Sequence, residues 1–130
     1  MTPHGHFHWN ELMTRDVAGA KAFYSDALGW TYSEMPDPDT GSTYFIAMDG
    51  ELPVGGMFDI TNIPGMDQVP ASWMAYIAVD DIDARVEKAK AGGATIVREP
   101  WDVPGVGRIA MVMQPDGAHI GWMTPAAEQG

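Results

Sequence analysis

Two stretches of this 130-residue chain follow one plan, and a chain that spells out a supersecondary unit twice is bound to fold it twice. Residues 9–57 open with Trp9-Asn-Glu-Leu-Met-Thr-Arg-Asp16, pass through an amphipathic run to Gly29, and end in strand-like runs closing at Gly55-Gly56-Met57. Residues 74–123 open with Met74-Ala-Tyr-Ile-Ala-Val-Asp-Asp81, pass through an amphipathic run to Gly92-Gly93, and close at Ile120-Gly-Trp-Met123. Asp16 and Asp81 stand 65 positions apart, and the turn residues Asp49 and Asp116 stand 67 apart. Two independent landmarks with nearly the same offset describe a strand–helix–strand–strand–strand unit present twice.

The local signals agree. Phe7 to Met13 alternates as a strand does. Asp16 then caps a helix whose Val17, Ala20, Phe23/Tyr24 and Ala27/Leu28 recur at helical spacing as its inner face, with Gly29 as the stop. Trp30 to Met35 reads as a strand, residues 36–41 as a turn-rich loop, and Asp49-Gly50 as a hairpin joining Thr43–Met48 to Leu52–Asp59. Residues 61–71, with Pro64, Gly65 and Pro70, link the halves. The second half runs as a strand over 73–79, a helix capped by Asp81 with Ile82, Val86, Ala89 and Gly93 inward, and a strand over 95–98. A loop with Pro100, Pro104 and Gly105 leads to strands over 108–113 and 119–123, which the turn Pro115-Asp-Gly117 joins; a loose tail follows Pro125. Periodicity alone yields an α+β chain with two helices.

Length confines the chain to one domain, residues 1–130: module one over about 6–60, linker about 61–71, module two about 72–124. Seven basic against eighteen acidic residues, a net charge of −11, repel a phosphate backbone and argue against nucleic acid as a partner. No apolar run is long enough for a membrane span and no secretory signal opens the chain, so a cytoplasmic protein is expected. The absence of Cys removes thiolate chemistry and accords with a reducing compartment. Ten Met suit either an irregular core or an adaptable apolar pocket.

The run Asp16…Ala22-Phe-Tyr24…Leu28-Gly-Trp30, the strand end Tyr76-Ile-Ala-Val-Asp-Asp81, the Gly92-Gly93 stop and the turn Gln114-Pro-Asp-Gly117 together resemble the vicinal oxygen chelate superfamily, which includes glyoxalase I, bleomycin-resistance proteins and extradiol dioxygenases. Within it, Trp9-Asn-Glu-Leu and Gly105-Val-Gly-Arg-Ile-Ala110 resemble a glyoxalase-like subgroup. The resemblance implies two βαβββ modules forming a curled mixed sheet around a cleft, often completed as a homodimer. It also implies metal ligands, His or Glu, on the first and last strands of each module.

Here those four places fall on Trp9, Met74, Gly55 or Gly56, and Gly121. An indole, a thioether and two missing side chains do not hold Zn, Ni, Mn or Fe(II), so no metal and no cofactor is expected, and glyoxalase I activity is argued against. The glycines either widen a cleft walled by Trp9 and Met74 or simply let strands curl.

Other side chains remain open to two readings. Glu11, two residues along from Trp9, is a general base or polar anchor in an apolar cleft, or else a structural partner of Arg108 or Arg15. His119, two residues before Gly121, is a proton donor or a solvent-facing strand residue. Arg108 suits an anionic group, and Tyr76, alternating with Met74, suits stacking on a ligand. His4, His6 and His8 would point one way on an extended segment at steps of about 6.7 Å, a clasp for a metal or a place of adventitious binding. Trp101 and Trp122 read as rim, core or interface residues, and Asp80-Asp81-x-Asp83 as helix capping.

The expected protein is thus a metal-independent binder of a small organic molecule, or an enzyme using acid–base groups alone. Its catalytic candidates are Glu11 and His119; its binding candidates are Trp9, Met74, Tyr76, Arg108, Gly55, Gly56 and Gly121. The alternative is a metal-dependent lyase or dioxygenase with displaced ligands.

Overall fold

The computed structural model describes residues 3–36, 43–61, 63, 66–103 and 106–126. Residues 37–41 of the turn-rich loop expected at 36–41, Pro64 and Gly65 of the linker, Pro104 and Gly105, and the end of the tail at 127–130 lie outside these residues.

The elements run β1 (Phe7–Thr14), α1 (Val17–Leu28), β2 (Thr31–Pro36), β3 (Thr43–Asp49), β4 (Leu52–Asp59), β5 (Ser72–Ala78), α2 (Ile82–Ala91), β6 (Thr95–Val103), β7 (Gly107–Met113) and β8 (His119–Pro125). This is the α+β arrangement of two βαβββ modules with mixed sheets. Two compact units share the chain, residues 9–73 and residues 1–8 with 74–130.

In the first unit the strand order is β2-β3-β4-β1, antiparallel except for the parallel pair of β1 with β4. That parallel pair needs a crossover, which α1 and the β2–β3 hairpin supply. The Asp16 carboxylate accepts from the Gly19 N–H at 2.9 Å, satisfying a donor that the first helical turn leaves open. Gly29 ends α1 at φ 76°, a left-handed conformation that costs glycine nothing. The core holds Leu12, Met13, Ala47, Met57, Ile60 and Met66. The helix departs from expectation: none of its residues is buried, and Phe23 and Leu28 are 62% and 59% exposed. Beside it Tyr24 stacks on Trp30 at 4.8 Å and accepts a hydrogen bond from the Trp73 indole at 3.0 Å.

The second unit repeats the order as β5-β8-β7-β6, again with the first and last strands of the module, β5 and β8, parallel. Residues 5 and 6 pair with Ala78 on β5. The Asp81 carboxylate caps α2 by accepting from the Ala84 N–H, while Asp80 holds Arg85 through two hydrogen bonds of 2.9 Å. Val79, Ile82, Val86 and Ala110 form the core under α2, joined by Ile77, Ile96 and Trp122. Six methionines (Met13, Met57, Met66, Met74, Met111 and Met123) are buried, so in this chain thioethers serve mainly to fill irregular core space.

Strand β6 is longer than the 95–98 run expected. It carries through Pro100 and Trp101 with register shifts between Ile96 and Arg98 and between Arg98 and Trp101. Proline is tolerated because β6 ends the order of its unit's sheet, and the shifts absorb the extra residues as bulges.

Candidate functional site

In the first unit, strand alternation puts Trp9, Glu11 and Met13 on one face of β1, and the parallel register sets Glu11 opposite Gly56. Gly56 has no side chain, and the space above it belongs to Tyr44: a Cβ there would overlap the Tyr44 Oη and Cζ. The Trp9 indole donates to the Tyr44 Oη at 2.8 Å, and that hydroxyl in turn donates to Glu11. Burial first, then the adjacent Glu11 charge, push the Tyr44 phenol far above its ordinary value, so it stays a donor throughout the physiological range. Glu11 is 7% exposed, which makes the sequence indole N–H, phenol O–H, carboxylate a polar line built into apolar surroundings.

Neither structural partner considered for Glu11 takes that part. Arg15 gives its guanidinium to the carbonyls of Met66, Asp67 and Val69, and Arg108 is engaged by Asp83 and Asp102.

Gly55 faces the other way. A Cβ there would meet the Asn10 carbonyl at 3.2 Å and the Trp73 ring at 3.6 Å, on the side where Trp73 touches Tyr24 of α1. Gly56, paired with Glu11, is therefore the counterpart of Gly121, which pairs with Tyr76 in the second unit.

The second unit repeats the device with a different donor strand. The Tyr76 ring, 2% exposed, covers Gly121, and a Cβ at that glycine would overlap its Cδ1 and Cε1 atoms. Both glycines thus admit tyrosines. Of the two readings of these glycines, a widened cleft or a sharper curl of the strands, the open space that the first requires is filled by rings.

Register carries the same face across the sheet: Tyr76 opposite Gly121, Gly121 opposite Met111, Met111 opposite Arg98. One step along, Trp101 stands opposite Ile109, and His119 opposite Met113. Met74, buried, lies two residues before Tyr76 on this face, and His119 is exposed at its edge. Arg98 lies over the Trp101 ring, its Cζ 3.6 Å from the centroid.

Arg108 belongs to the opposite face. It stands across from Thr124, next to the Ala110–Trp122 pair that α2 covers, and bonds Asp83 of α2 through Nε at 2.9 Å and Nη2 at 3.0 Å. The guanidinium expected to receive an anion is thus already engaged by carboxylates on the helix side. Trp122 packs under α2, as a core residue.

The amino-terminal histidines do not form a clasp. The strand begins only at Phe7, and His4 instead takes the Asp80 N–H on its Nδ1 at 3.0 Å. Among the described residues no three His, Asp or Glu side chains converge on one point. At the four places where the resemblance implies metal ligands, the side chains are indole, thioether and two glycines covered by tyrosines, which do not fit a divalent cation.

Sequence and structure comparisons place this geometry in a known group. The chain belongs to the Glyoxalase/Bleomycin resistance protein/Dioxygenase superfamily, whose pattern it matches over residues 6–121. It is 40% identical over 121 residues to CFP32 of Mycobacterium tuberculosis, a protein provisionally named a glyoxylase, covering 93% of this chain and 44% of that one. It is 34% identical over 119 residues to the anthracycline biosynthesis protein DnrV of Streptomyces peucetius, covering 85% of this chain and 43% of that one. The chain therefore spans less than half the length of these curated relatives.

Among solved structures, the methylmalonyl-CoA epimerase of Mycobacterium tuberculosis shares the fold with a TM-score of 0.61 at 18% identity, over 98% of this chain and 94% of that one. A hypothetical protein, BH1468, of Bacillus halodurans does so with a TM-score of 0.64 at 15% identity, over 98% and 97%.

Tyr44, Arg98 and the Trp101 ring beneath Arg98 are candidate site residues that sequence reasoning missed. A glycine inside a strand is a signal that a large neighbour can approach closely, and Tyr44 is a strand residue able to do so. Arg98 had no such signal, because straight alternation from the core residue Ile96 assigns it to the helix side; the bulge turns it over.

Proposed function

We propose that this protein binds a small organic molecule without a metal ion, each unit by itself offering an apolar and aromatic sheet face: that of Trp9, Glu11 and Tyr44 in the first, and that of Met74, Tyr76 and His119 in the second. The observation that carries this reading is the hydrogen-bonded line from Trp9 through Tyr44 to the buried Glu11. A buried carboxylate is costly and is kept where it has a task. A carboxylate accepts at several lone-pair positions, so Glu11 can receive a ligand hydroxyl or N–H while the Tyr44 hydroxyl holds it in place. The relatives named for anthracycline biosynthesis support an aromatic ligand.

A homodimer completes the proposal. The curated relatives are more than twice as long as the matched segment, and Phe23, Leu28, Leu52 and Trp73 are large apolar side chains left 41–62% exposed, a surface that a second copy would cover. No helix among the described residues is long and apolar enough to cross a membrane. A cytoplasmic location is proposed from the cysteine-free composition.

The test is equilibrium binding of planar aromatic hydroxy compounds, an anthracycline among them, to untagged protein with and without a chelator. Saturable binding that survives the chelator and weakens in Glu11→Gln and Trp9→Ala supports the reading. Binding abolished by chelation and restored by one divalent ion overturns it in favour of a metal-dependent enzyme. Turnover of a bound compound that disappears in Glu11→Gln makes the protein a metal-independent enzyme in place of a sequestering one. Sedimentation of wild type against Phe23→Asp tests the dimer.

A further inference from the structure

Of the four arginines, three give their N–H groups to oxygen: Arg15 to backbone carbonyls, Arg85 to Asp80, and Arg108 to Asp83 and Asp102. Arg98 gives its own to none among the described residues. It is half-buried on the face of Tyr76 and Met111, with Trp101 beneath it. Burial disfavours its charge, and no neighbouring carboxylate restores the loss. This occurs in a chain with eighteen acidic residues, where a structural arginine would readily find a carboxylate. No fully buried side-chain nitrogen among the described residues lacks a partner, so the unpaired Arg98 nitrogens reach solvent and are open to an arriving group.

We propose that Arg98, laid on the Trp101 ring of the edge strand β6, is the site where this protein takes the oxyanion end of its ligand, a carboxylate or phosphate. This rests on the small-molecule reading above and narrows it to an organic anion. The geometry suits the task. The indole, its ring centroid 3.6 Å from Cζ, braces the guanidinium, and nitrogens that no oxygen among the described residues engages are open to a carboxylate or phosphate, which a guanidinium pairs through two parallel bonds. The net charge of −11 does not forbid an anion here, since charges beyond about 8–10 Å are screened in physiological salt.

The experiment is calorimetric titration of the full chain with 3-phenylpropanoate, phenyl phosphate and the neutral 3-phenylpropan-1-ol. One or both anions bind wild type at least about ten-fold more tightly than the alcohol, and the difference shrinks as salt is raised. Arg98→Met brings the preferred anion down to the affinity of the alcohol, which itself changes by less than about two-fold. Arg98→Lys keeps the charge but loses the fork and falls between. Circular dichroism of each variant checks folding, and the salt series on wild type reads the same contact without any substitution. Equal binding of anions and alcohol by wild type, or an unchanged anion preference in Arg98→Met, overturns the proposal while leaving the small-molecule reading intact. Failure of all three compounds to bind overturns both.

Discussion

Adjacent glycines on one strand provide a sharp test of how this site is built. Gly55 and Gly56 both sit at backbone angles open to other residues, since neither has a positive φ, so alanine at either is free of conformational strain. Their surroundings differ. At Gly55 a Cβ meets a carbonyl at 3.2 Å and an indole edge at 3.6 Å, which small shifts accommodate; at Gly56 it lands on the Tyr44 hydroxyl. Tyr44 can swing clear only by releasing Trp9 and Glu11. Overpacking typically costs about 1–3 kcal/mol, and loss of a hydrogen bond to a charged group adds about 1.5–3 kcal/mol. Replacing glycine at an unstrained site returns about 0.4–1 kcal/mol through the unfolded chain. The balance for Gly56→Ala is a loss of about 2–5 kcal/mol, whereas Gly55→Ala falls within about 1 kcal/mol of wild type. Urea unfolding of the two variants measures the contrast. Adding Tyr44→Ala removes the collision, so Gly56→Ala costs at least about 1 kcal/mol less in that background. Equal stability of the two single variants, or additivity in the double variant, would refute the placement of Tyr44 over Gly56.

Three further outcomes are expected. Because Tyr44 holds its proton more tightly folded than unfolded, the stability this supplies is intact below pH 10 and is lost above it by up to about 1.4 kcal/mol per pH unit; urea midpoints between pH 8 and 11.5 fall less steeply in Tyr44→Phe. Arg108→Gln leaves ligand affinity unchanged and lowers the melting temperature only slightly, since it removes a solvent-exposed ion pair on the helix side; a large loss of affinity would restore Arg108 to the site. Asp16→Ala costs about 1 kcal/mol by leaving the Gly19 N–H without its cap, read by thermal unfolding against Asp16→Asn, which retains most of the stability.

Tyr44 and Arg98 mark where local pattern stops being informative. Caps, stops and turns are contacts between residues two to four positions apart. Asp16, Gly29, Asp49-Gly50 and Asp81 therefore disclose themselves in the primary structure, and their repetition fixes the paired βαβββ plan. The same holds for the face shared by Trp9 and Glu11 and for that shared by Met74, Tyr76, His119 and Gly121, because alternation along an unbroken strand decides it. That a side chain is missing at Gly55 or Gly56 and at Gly121 is equally legible, but which of the first two matters and what occupies the space is not: Tyr44 lies twelve residues from Gly56, and Tyr76 forty-five from Gly121. Arg108 and Arg98 exchanged roles for a related reason. Asp83 reaches Arg108 across twenty-five residues, and the register shifts in β6 reverse the face of Arg98. Short-range geometry is written in neighbouring residues; which ring fills which gap, and which arginine is left without an oxygen, depends on strand register and on side chains meeting from distant parts of the chain.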